Sequence, residues 1–515
     1  MRAATLTTRT MLTMLTFGCS AWLQGCEAAL DDQHRHVGGL IAELRPLPGL
    51  ATEPPYFDAT DRIEKYDSKA GFFRVHYTSG GRHAVPGDDL DDDDTPDYVA
   101  RVADDFDRVL EFYKELGYRE PVRDGTVPGE HGGDERFDVY LLDFPNAGAD
   151  GQFKRDTTCS AQPCGGYMLL ENDFKNKGYA TLELAIRLVS SHEFFHAVQL
   201  AYSTAVSGWL SEGTAVWASE AFDPEAGDVE RQAKPYFDRP ESSLAESPTG
   251  VDPIIYSGGV FFQLVEERAG RDVLRRMFEI LADTGDEWPI ALDAALKEEG
   301  SSIADQYSSF VEWNLFTGER AEPERGYANA VELPTLKERD VEPGFQDDAV
   351  RVFPLAARYY ALKLAAADSV SASAELPDDA NVENLQLMIA VEHDGRITQV
   401  ERAPLERRRE LQVELEAGDT AHVVLYNTAN AGNSARPDLC IASSKEQCES
   451  TPEPSDDAGV SEPKPAEADS GGCTVLAPRT TTPTHWLAFT TAAALALIRR
   501  RCRKKLVLTS RLSVL

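Results

Sequence analysis

The sequence predicts an α+β fold in which a mixed helical and stranded domain precedes a β-sandwich accessory domain. Three observations support this. Residues 98–116 place apolar side chains at helical spacing on one face. Segments 137–142 and 167–171 have the pattern of strands, and a long helical pattern follows over 181–202. Residues 345–445 then alternate short apolar stretches with Gly, Asp and Pro turns, which is typical of a sandwich.

Pattern divides the chain into six segments, and the second of them has two interpretations. Residues 72–77 alternate like a strand, so residues 27–85 are either an N-terminal pro-region or the first strands of the next domain. The strands expected in the sandwich are 350–353, 359–364, 385–391, 411–415 and 421–426. The segments are an export signal (1–26), the N-terminal segment (27–85), the mixed domain (86–340), the sandwich (345–445), a linker (446–470) and a C-terminal signal (471–515).

The charge balance excludes one class of function. Acidic residues number 87 against 51 basic ones, which gives a formal net charge of −36. Such a surface repels nucleic acid, so no nucleic-acid partner is expected. It favours solubility or cation binding instead.

The first 26 residues have the order of an export signal. Arg2 and Arg9 precede an apolar stretch over 11–23. Residues 23–26 (LQGC) resemble a bacterial lipobox, which implies lipidation of Cys26; the alternative is a cleaved signal without a lipid.

The C-terminal segments contain a second targeting signal. Residues 449–470 are rich in Pro, Ser and acidic groups, so we expect an extended, disordered linker. Cys473, an apolar run over 486–498 and six basic residues within 499–505 follow. This order resembles the MYXO-CTERM sorting signals, which implies a processing peptidase as a partner and attachment at the cell surface or outer membrane. The ten residues after 505 depart from that pattern, and a plain tail anchor is the alternative. Either way, the membrane is contacted only through terminal anchors.

Cysteine usage agrees with export. Cys159 with Cys164 and Cys440 with Cys448 form two short-range pairs suited to disulfides in an oxidising compartment.

Residues 191–199 (SHEFFHAVQ) contain the pattern His-Glu-x-x-His. On a helix, positions i and i+4 lie one turn apart on the same face, so His192 and His196 can bind one Zn²⁺. Glu193 then lies beside the open position, where it can act as general base. The apolar flanks predict a buried helix, in which two His and a Glu without a metal would be costly.

A catalytic zinc needs a third protein ligand. The metzincin class would require Gly at 199 and His at 202, but the chain has Gln199 and Tyr202. Downstream, residues 208–217 (GWLSEGTAVW) begin an apolar helix that carries one acid, Glu212. Glu212 is therefore the expected ligand, and Glu220 is the alternative.

With these segments the chain resembles the gluzincins, especially their peptidase-MA-like branch. The resemblance covers residues 65–330 and implies a zincin fold, a bound Zn²⁺ and hydrolysis of a protein or peptide substrate by a water that Glu193 deprotonates. Only 15 residues separate His196 from Glu212, fewer than in thermolysin. The absence of a Gly-Ala-Met-Glu-Asn-type segment favours an endopeptidase. The alternatives are a catalytically idle surface adhesin on the same fold and a hydrolase of a non-peptide substrate.

Two further features complete the expected active site. Tyr256 opens an apolar helix after a Pro-containing loop, and Tyr256-Ser257-Gly258-Gly259 resembles the Tyr-x-x-Gly segment of the aminopeptidase gluzincins. That resemblance implies stabilisation of the oxyanion; a packed core tyrosine is the alternative. The strand Tyr167–Glu171 is either an edge strand that pairs with the substrate or an interior strand.

An acidic loop precedes the first long helix. Asp89, Asp91, Asp93 and Asp97 have the alternating spacing by which a loop wraps Ca²⁺. The loop resembles Asp-rich calcium loops of exported bacterial proteins that end in Pro-Asp-Tyr-Val, although it has Asp94 where those have Gly. An acidic helix-capping loop without metal is the alternative.

Overall fold

The residues that the structure describes all lie within one compact unit of the chain, Met1–Ser450. The computed structural model describes residues 45–48, 54–124, 134–144, 150–155, 165–204, 206, 208–246, 248, 252–322, 324–348, 350–377 and 384–448. The export signal, the pair Cys159 and Cys164, most of the linker and the C-terminal signal lie outside these residues.

Helices and strands both contribute substantially, so the chain is α+β. The described helices are α1 (Asp97–Glu115), α2 (Leu182–Leu200), α3 (Gly208–Phe222), α4 (Asp228–Asp238), α5 (Gly259–Ala269), α6 (Asp272–Thr284), α7 (Trp288–Glu298) and α8 (Ile303–Trp313). The described strands are β1 (Glu64–Asp67), β2 (Phe73–Tyr77), β3 (Phe137–Leu142), β4 (Gly151–Arg155), β5 (Gly166–Glu171), β6 (Arg339–Asp340), β7 (Phe345–Asp347), β8 (Ala356–Lys363), β9 (Asp368–Glu375), β10 (Leu385–His393), β11 (Arg396–Pro404), β12 (Arg408–Leu415), β13 (Thr420–Asn427) and β14 (Asp438–Ser443). None of these helices is both long and apolar enough to cross a membrane.

The first sheet has the strand order β1-β2-β3-β5-β4. β2, β3 and β5 run parallel, whereas β1 and β4 pair antiparallel at the two edges. Tyr167–Glu171 lies in β5, between β3 and β4, and is therefore an interior strand rather than the edge. The edge strand on this side is β4, whose sequence GQFKR has too little apolar alternation to predict a strand. β1 and β2 place part of segment 27–85 in the same sheet.

α1 and α2 cover one face of this sheet. The Phe73 ring lies 5.2 Å from that of Phe106 in α1 and 5.1 Å from that of Phe194 in α2. α2 begins where the Thr181 hydroxyl accepts a hydrogen bond from Leu184 N at 3.1 Å, which is an N-cap. Almost the whole of α2 from Ala185 onward is buried, including the polar residues of the segment 190–196.

Residues near the N-terminus cover the opposite face. Arg45 is 5% exposed, lies 4.4 Å above the Tyr167 ring and donates to Asp124 at 3.0 Å. Phe57 packs there in a small apolar cluster with Tyr140 of β3. This part of the N-terminal segment thus belongs to the core.

The second half of the chain forms two packed sheets. One has the order β11-β10-β13-β8-β6 and the other β12-β9-β14-β7, as expected for a β-sandwich. The predicted strand Val350–Phe353 is wrong, because it makes only a single bridge, between Val352 and Ala435. The disulfide between Cys440 and Cys448 is confirmed.

The sandwich packs on the helices through the outer face of its five-stranded sheet. Met388, Val424 and Tyr426 of this face belong to the same apolar core as the helices. Tyr359 donates its hydroxyl to Val311 O of α8 at 3.1 Å. Alternation therefore gives the central strands two buried faces, one toward the second sheet and one toward the helices.

A buried charged cluster joins the two parts. In β13, His422 Nδ1 lies 2.8 Å from Glu338 Oε1, and its Nε2 lies 3.0 Å from Glu392 Oε2 of β10. Arg320, just after α8, donates to Glu338 at 2.6 Å. Burial lowers the pKa of His422, but the two carboxylates more than offset this and raise it above its ordinary 6.5. Burial alone would raise the pKa of Glu338, yet hydrogen bonding to His422 holds it below its ordinary value.

This cluster predicts a pH-dependent stability. A histidine whose folded pKa lies above its unfolded value stabilises fully below pH 6.5, and the contribution is lost as pH rises through the folded pKa. We therefore expect thermal unfolding curves to show a Tm that falls above pH 6.5. His422→Gln should remove that part of the decline. An alkaline decline of the same size in this variant would show that other groups cause it.

Candidate metal centre

Two helices bring three of the predicted residues together. α2 carries His192 and His196 one turn apart, and α3 carries Glu212 on the face that packs against α2. Glu212 Oε2 lies 3.3 Å from His192 Nε2 and 3.5 Å from His196 Nε2. All three side chains are buried, with at most 10% of the side chain exposed.

The spacing of these atoms fits a zinc ion. Ligand atoms about 2.1 Å from a tetrahedral zinc lie about 3.4 Å from one another. The two measured nitrogen–oxygen distances are 3.3 and 3.5 Å. An imidazole pair with one carboxylate is also a donor set that catalytic zinc sites use.

The hydrogen bonding around these atoms is incomplete within the described part of the chain. There, neither His196 Nε2 nor Glu212 Oε1 has a hydrogen-bond partner, although both are buried. Burial lowers the pKa of His196, but the Glu212 carboxylate reverses this and raises it to about 9. Burial raises the pKa of Glu212, and the two histidines lower it to about 2. The buried Glu212 carboxylate thus favours a proton, and so a positive charge, on His196. A metal cation can replace that proton and supply the positive charge instead.

Gln199 fixes the tautomer of His196. Its amide nitrogen donates to Ser211 O at 2.7 Å and to Thr214 Oγ1 at 2.9 Å, so its oxygen is the atom that faces His196 Nδ1 at 3.0 Å. Nδ1 must then carry the proton, because an amide oxygen only accepts. Nε2, which lies 3.5 Å from Glu212 Oε2, is then the nitrogen that would lose its proton and offer a lone pair to a metal. This role of Gln199 is not predicted from the sequence, although its position one turn after His196 is a signal for it.

Glu193 lies against the sheet edge. It is fully buried, and its Oε2 accepts a hydrogen bond from Phe153 N of β4 at 2.9 Å. The expected general base is thus fixed by the backbone of the edge strand.

Tyr256 lies beside the histidines. Its ring centroid is 6.1 Å from that of His192, with 28° between the planes, and it is 7% exposed. It belongs to a 3-10 helix, Pro253–Gly258, that leads into α5. This helix approaches α3 closely, since a Cβ at Gly213 would lie 2.9 Å from the carbonyl carbon of Gly258.

Glu220 is not part of this group. Glu220 lies in the last turn of α3, and its carboxylate accepts a hydrogen bond from Asp228 N at the start of α4, at 2.7 Å. Burial and the nearby Glu230 raise its pKa to about 7. Glu220, the alternative third ligand, is therefore not placed to bind a metal together with His192 and His196.

The acidic loop brings together three of its four predicted ligands. Oxygens of Asp89, Asp91 and Asp93 lie within 4.8 Å of one another. Asp97 is not in this group, and its carboxylate accepts from Leu90 N at 3.3 Å. Asp94, which stands where the loops this segment resembles have Gly, has a φ of +68°, a left-handed conformation that favours glycine. Calcium binding stays a prediction.

If Ca²⁺ binds this loop, it should raise Tm. Extracellular calcium modules have Kd values of about 10⁻⁴–10⁻³ M. At about a hundredfold excess over Kd the free energy of unfolding rises by about 2.7 kcal/mol. Asp91→Asn should abolish the calcium-dependent shift, whereas Asp92→Asn in the same loop, outside the three-residue group, should keep it. An equal shift in both variants would place the ion elsewhere.

A third acidic group does not offer metal-binding geometry. Asp58 and Asp61 lie close to His83. However, His83 Nδ1 accepts from Asp143 N at 2.9 Å, and its Nε2 lies 2.9 Å from Arg82 Nη2, so both ring nitrogens already face hydrogen-bond donors.

Comparisons with known proteins add little. No protein-family model matches the chain, and no curated protein does either. Among solved structures, it is similar to the pre-peptidase C-terminal domain of a collagenase from Bacillus anthracis, with a TM-score of 0.16, 10% identity, and coverage of 20% of this chain and 94% of that one. Tripeptidyl peptidase 2 matches with a TM-score of 0.18 and 10% identity over 21% of this chain and 11% of that chain. A family 35 carbohydrate-binding module from an environmental isolate matches with a TM-score of 0.13 and 14% identity over 20% and 76%. Likenesses this weak carry no functional argument.

Proposed function

We propose that this chain is a zinc-dependent peptidase of the gluzincin type, in which His192, His196 and Glu212 hold the metal. The observation that carries the proposal is the convergence of their three donor atoms within 4.8 Å, with both nitrogen–oxygen distances at the spacing of a tetrahedral zinc. Gln199 supports it, because it presents the His196 lone pair to the same point.

The roles of the surrounding residues follow from their positions. A zinc ion held there would supply Lewis-acid activation of a water molecule and of the scissile carbonyl. Glu193 removes the proton from the water and transfers it to the leaving amine. Tyr256, beside His192, donates to the oxyanion that forms on the former carbonyl.

The edge strand favours a peptide as substrate. β4 is the last strand of its sheet among the residues that the structure describes, and of its outward-facing main-chain groups Phe153 N already donates to Glu193, which leaves the other groups of this edge for a substrate. An extended peptide can add to such an edge through main-chain hydrogen bonds, which places its carbonyls along the site. We propose internal peptide bonds as the target.

We also propose that the protein is exported and held at the cell surface through its terminal segments. The disulfide between Cys440 and Cys448 supports an oxidising compartment. Deletion of residues 471–515 should then release the protein into the medium. If the truncated protein stays attached, a lipid on Cys26 is the anchor, and Cys26→Ser separates the two.

A peptide-library digestion tests the proposed activity. Purified protein spanning residues 27–470 should contain about one zinc per chain and cleave internal bonds in an extended peptide library. A chelator should abolish cleavage, and added zinc should restore it. Zinc without any cleavage would instead favour the idle surface protein, and cleavage that survives the chelator would exclude the metal mechanism.

A further inference from the structure

The edge strand β4 approaches α2 unusually closely at one residue. A Cβ on Gly151 would lie 2.5 Å from Val189 Cγ1 and 2.9 Å from Glu193 Cγ. Carbon atoms in contact prefer about 3.5–4.0 Å, so no side chain fits here unless the strand or Glu193 moves. Gly151 does not have a positive φ, and the requirement is therefore one of space rather than of backbone torsion.

The same approach sets the hydrogen bond to Glu193. Phe153 follows Gly151 by two residues, so both present the same edge of β4 to α2. Its N–H reaches Glu193 Oε2 at 2.9 Å. If β4 moved outward to accommodate a Cβ, this hydrogen bond would lengthen first.

The start of β4 is held in place from the other side. Asp150, directly before Gly151, accepts from the Tyr179 hydroxyl at 2.7 Å and lies 3.3 Å from Lys177 Nζ. Its carbonyl accepts from Glu171 N at 2.9 Å. With the strand fixed here, the Glu193 side chain is the group that must give way to a larger residue at 151.

We propose that Gly151 and the Phe153 amide together position the Glu193 carboxylate, with Gly151 as a positioning residue. The amide fixes one carboxylate oxygen, and the missing side chain at 151 leaves room for the Glu193 stem. The catalytic consequence rests on the proposed function, whereas the positioning itself does not.

Amide hydrogen exchange tests the positioning without any reaction. In the metal-free protein, the Phe153 amide should be protected, and Glu193→Ala should make it exchange at least about tenfold faster. Gly151→Ala should do the same. The Lys154 amide is the internal control, because alternation along β4 turns it toward β5 and its exchange should not change. Unchanged protection of Phe153 in Glu193→Ala would overturn the proposal.

Kinetics then separate positioning from simple crowding. Gly151→Ala should lower kcat by roughly 10–100-fold with zinc content kept and KM changed less than about threefold. Val189→Ala added to Gly151→Ala removes the contact with Val189 but leaves the one with Glu193. The double variant should regain Tm without regaining kcat, and Val189→Ala alone controls for the new cavity. Recovery of kcat in the double variant would show that Gly151 serves only helix–strand packing. If wild type cleaves no peptide, the proposed function fails while the exchange experiment still decides this inference.

Discussion

Glu193→Gln is expected to lower kcat by about 10²–10⁴-fold while the protein keeps its zinc. Gln matches Glu in shape, and its amide oxygen can still accept from Phe153 N, so the side chain should stay in place. What it loses is the ability to accept a proton from water. The ligands His192, His196 and Glu212 are untouched, and metal analysis should therefore give the wild-type zinc content.

Two variants of α3 provide the controls. Glu212→Gln removes the charge that neutralises the metal and should lower zinc affinity as well as activity. Glu220→Gln, on the same helix but bonded to Asp228 N, should keep both. Absence of zinc from wild type and Glu193→Gln alike would contradict the metal assignment. Wild-type kcat in Glu193→Gln would remove Glu193 from the reaction.

The parts of the site that the sequence predicts are those whose spacing is local. His192 and His196 are one helical turn apart, so their convergence follows from the helix alone. The helix itself is predicted over 181–202 and spans Leu182–Leu200, because apolar residues recur along its whole length and Thr181 caps it. Strand β3 spans its predicted range of 137–142, and every residue in it is buried, as its mostly apolar sequence FDVYLL indicates.

The parts that were missed depend on tertiary contacts. β4 is short, polar and at an edge, and β9 (DSVSASAE) packs small residues, so neither has a strong apolar pattern. The contact between Phe153 N and Glu193 joins residues 40 positions apart and leaves no sequence signal. Val350–Phe353 has strand-like composition, yet it finds only one partner, at Ala435.

The packing of the sandwich on the helices also could not be predicted from the hydrophobic pattern. The central strands β10 and β13 are apolar on both faces, which fits a sandwich interior but does not say what covers the second face. The structure covers it with helices, and the cluster of Arg320, Glu338, Glu392 and His422 lies at that junction. Charged residues in an apolar strand are thus explained by partners distant in sequence.

Tyr256→Phe is expected to lower kcat by roughly 10²–10³-fold with zinc retained and KM changed little. The Tyr256 ring lies nearly parallel to that of His192, at 6.1 Å, which puts the phenol beside the proposed ligands. Its segment is held by the Asp252 cap and by the close approach of Gly213 to Gly258, so the ring should keep its place when the hydroxyl is removed. Only the donor to the oxyanion is lost.

A matched tyrosine distinguishes loss of a donor from loss of stability. Tyr359 is also buried, but its hydroxyl donates to Val311 O at the junction between sandwich and helices. Tyr359→Phe should therefore cost about 1 kcal/mol of unfolding free energy and leave kcat unchanged. If Tyr256→Phe behaves like this control, with kcat within about threefold of wild type, Tyr256 belongs to the core packing. A large fall in kcat at unchanged Tm would instead require the hydroxyl to act in the transition state, because packing alone has no reason to affect kcat and spare KM.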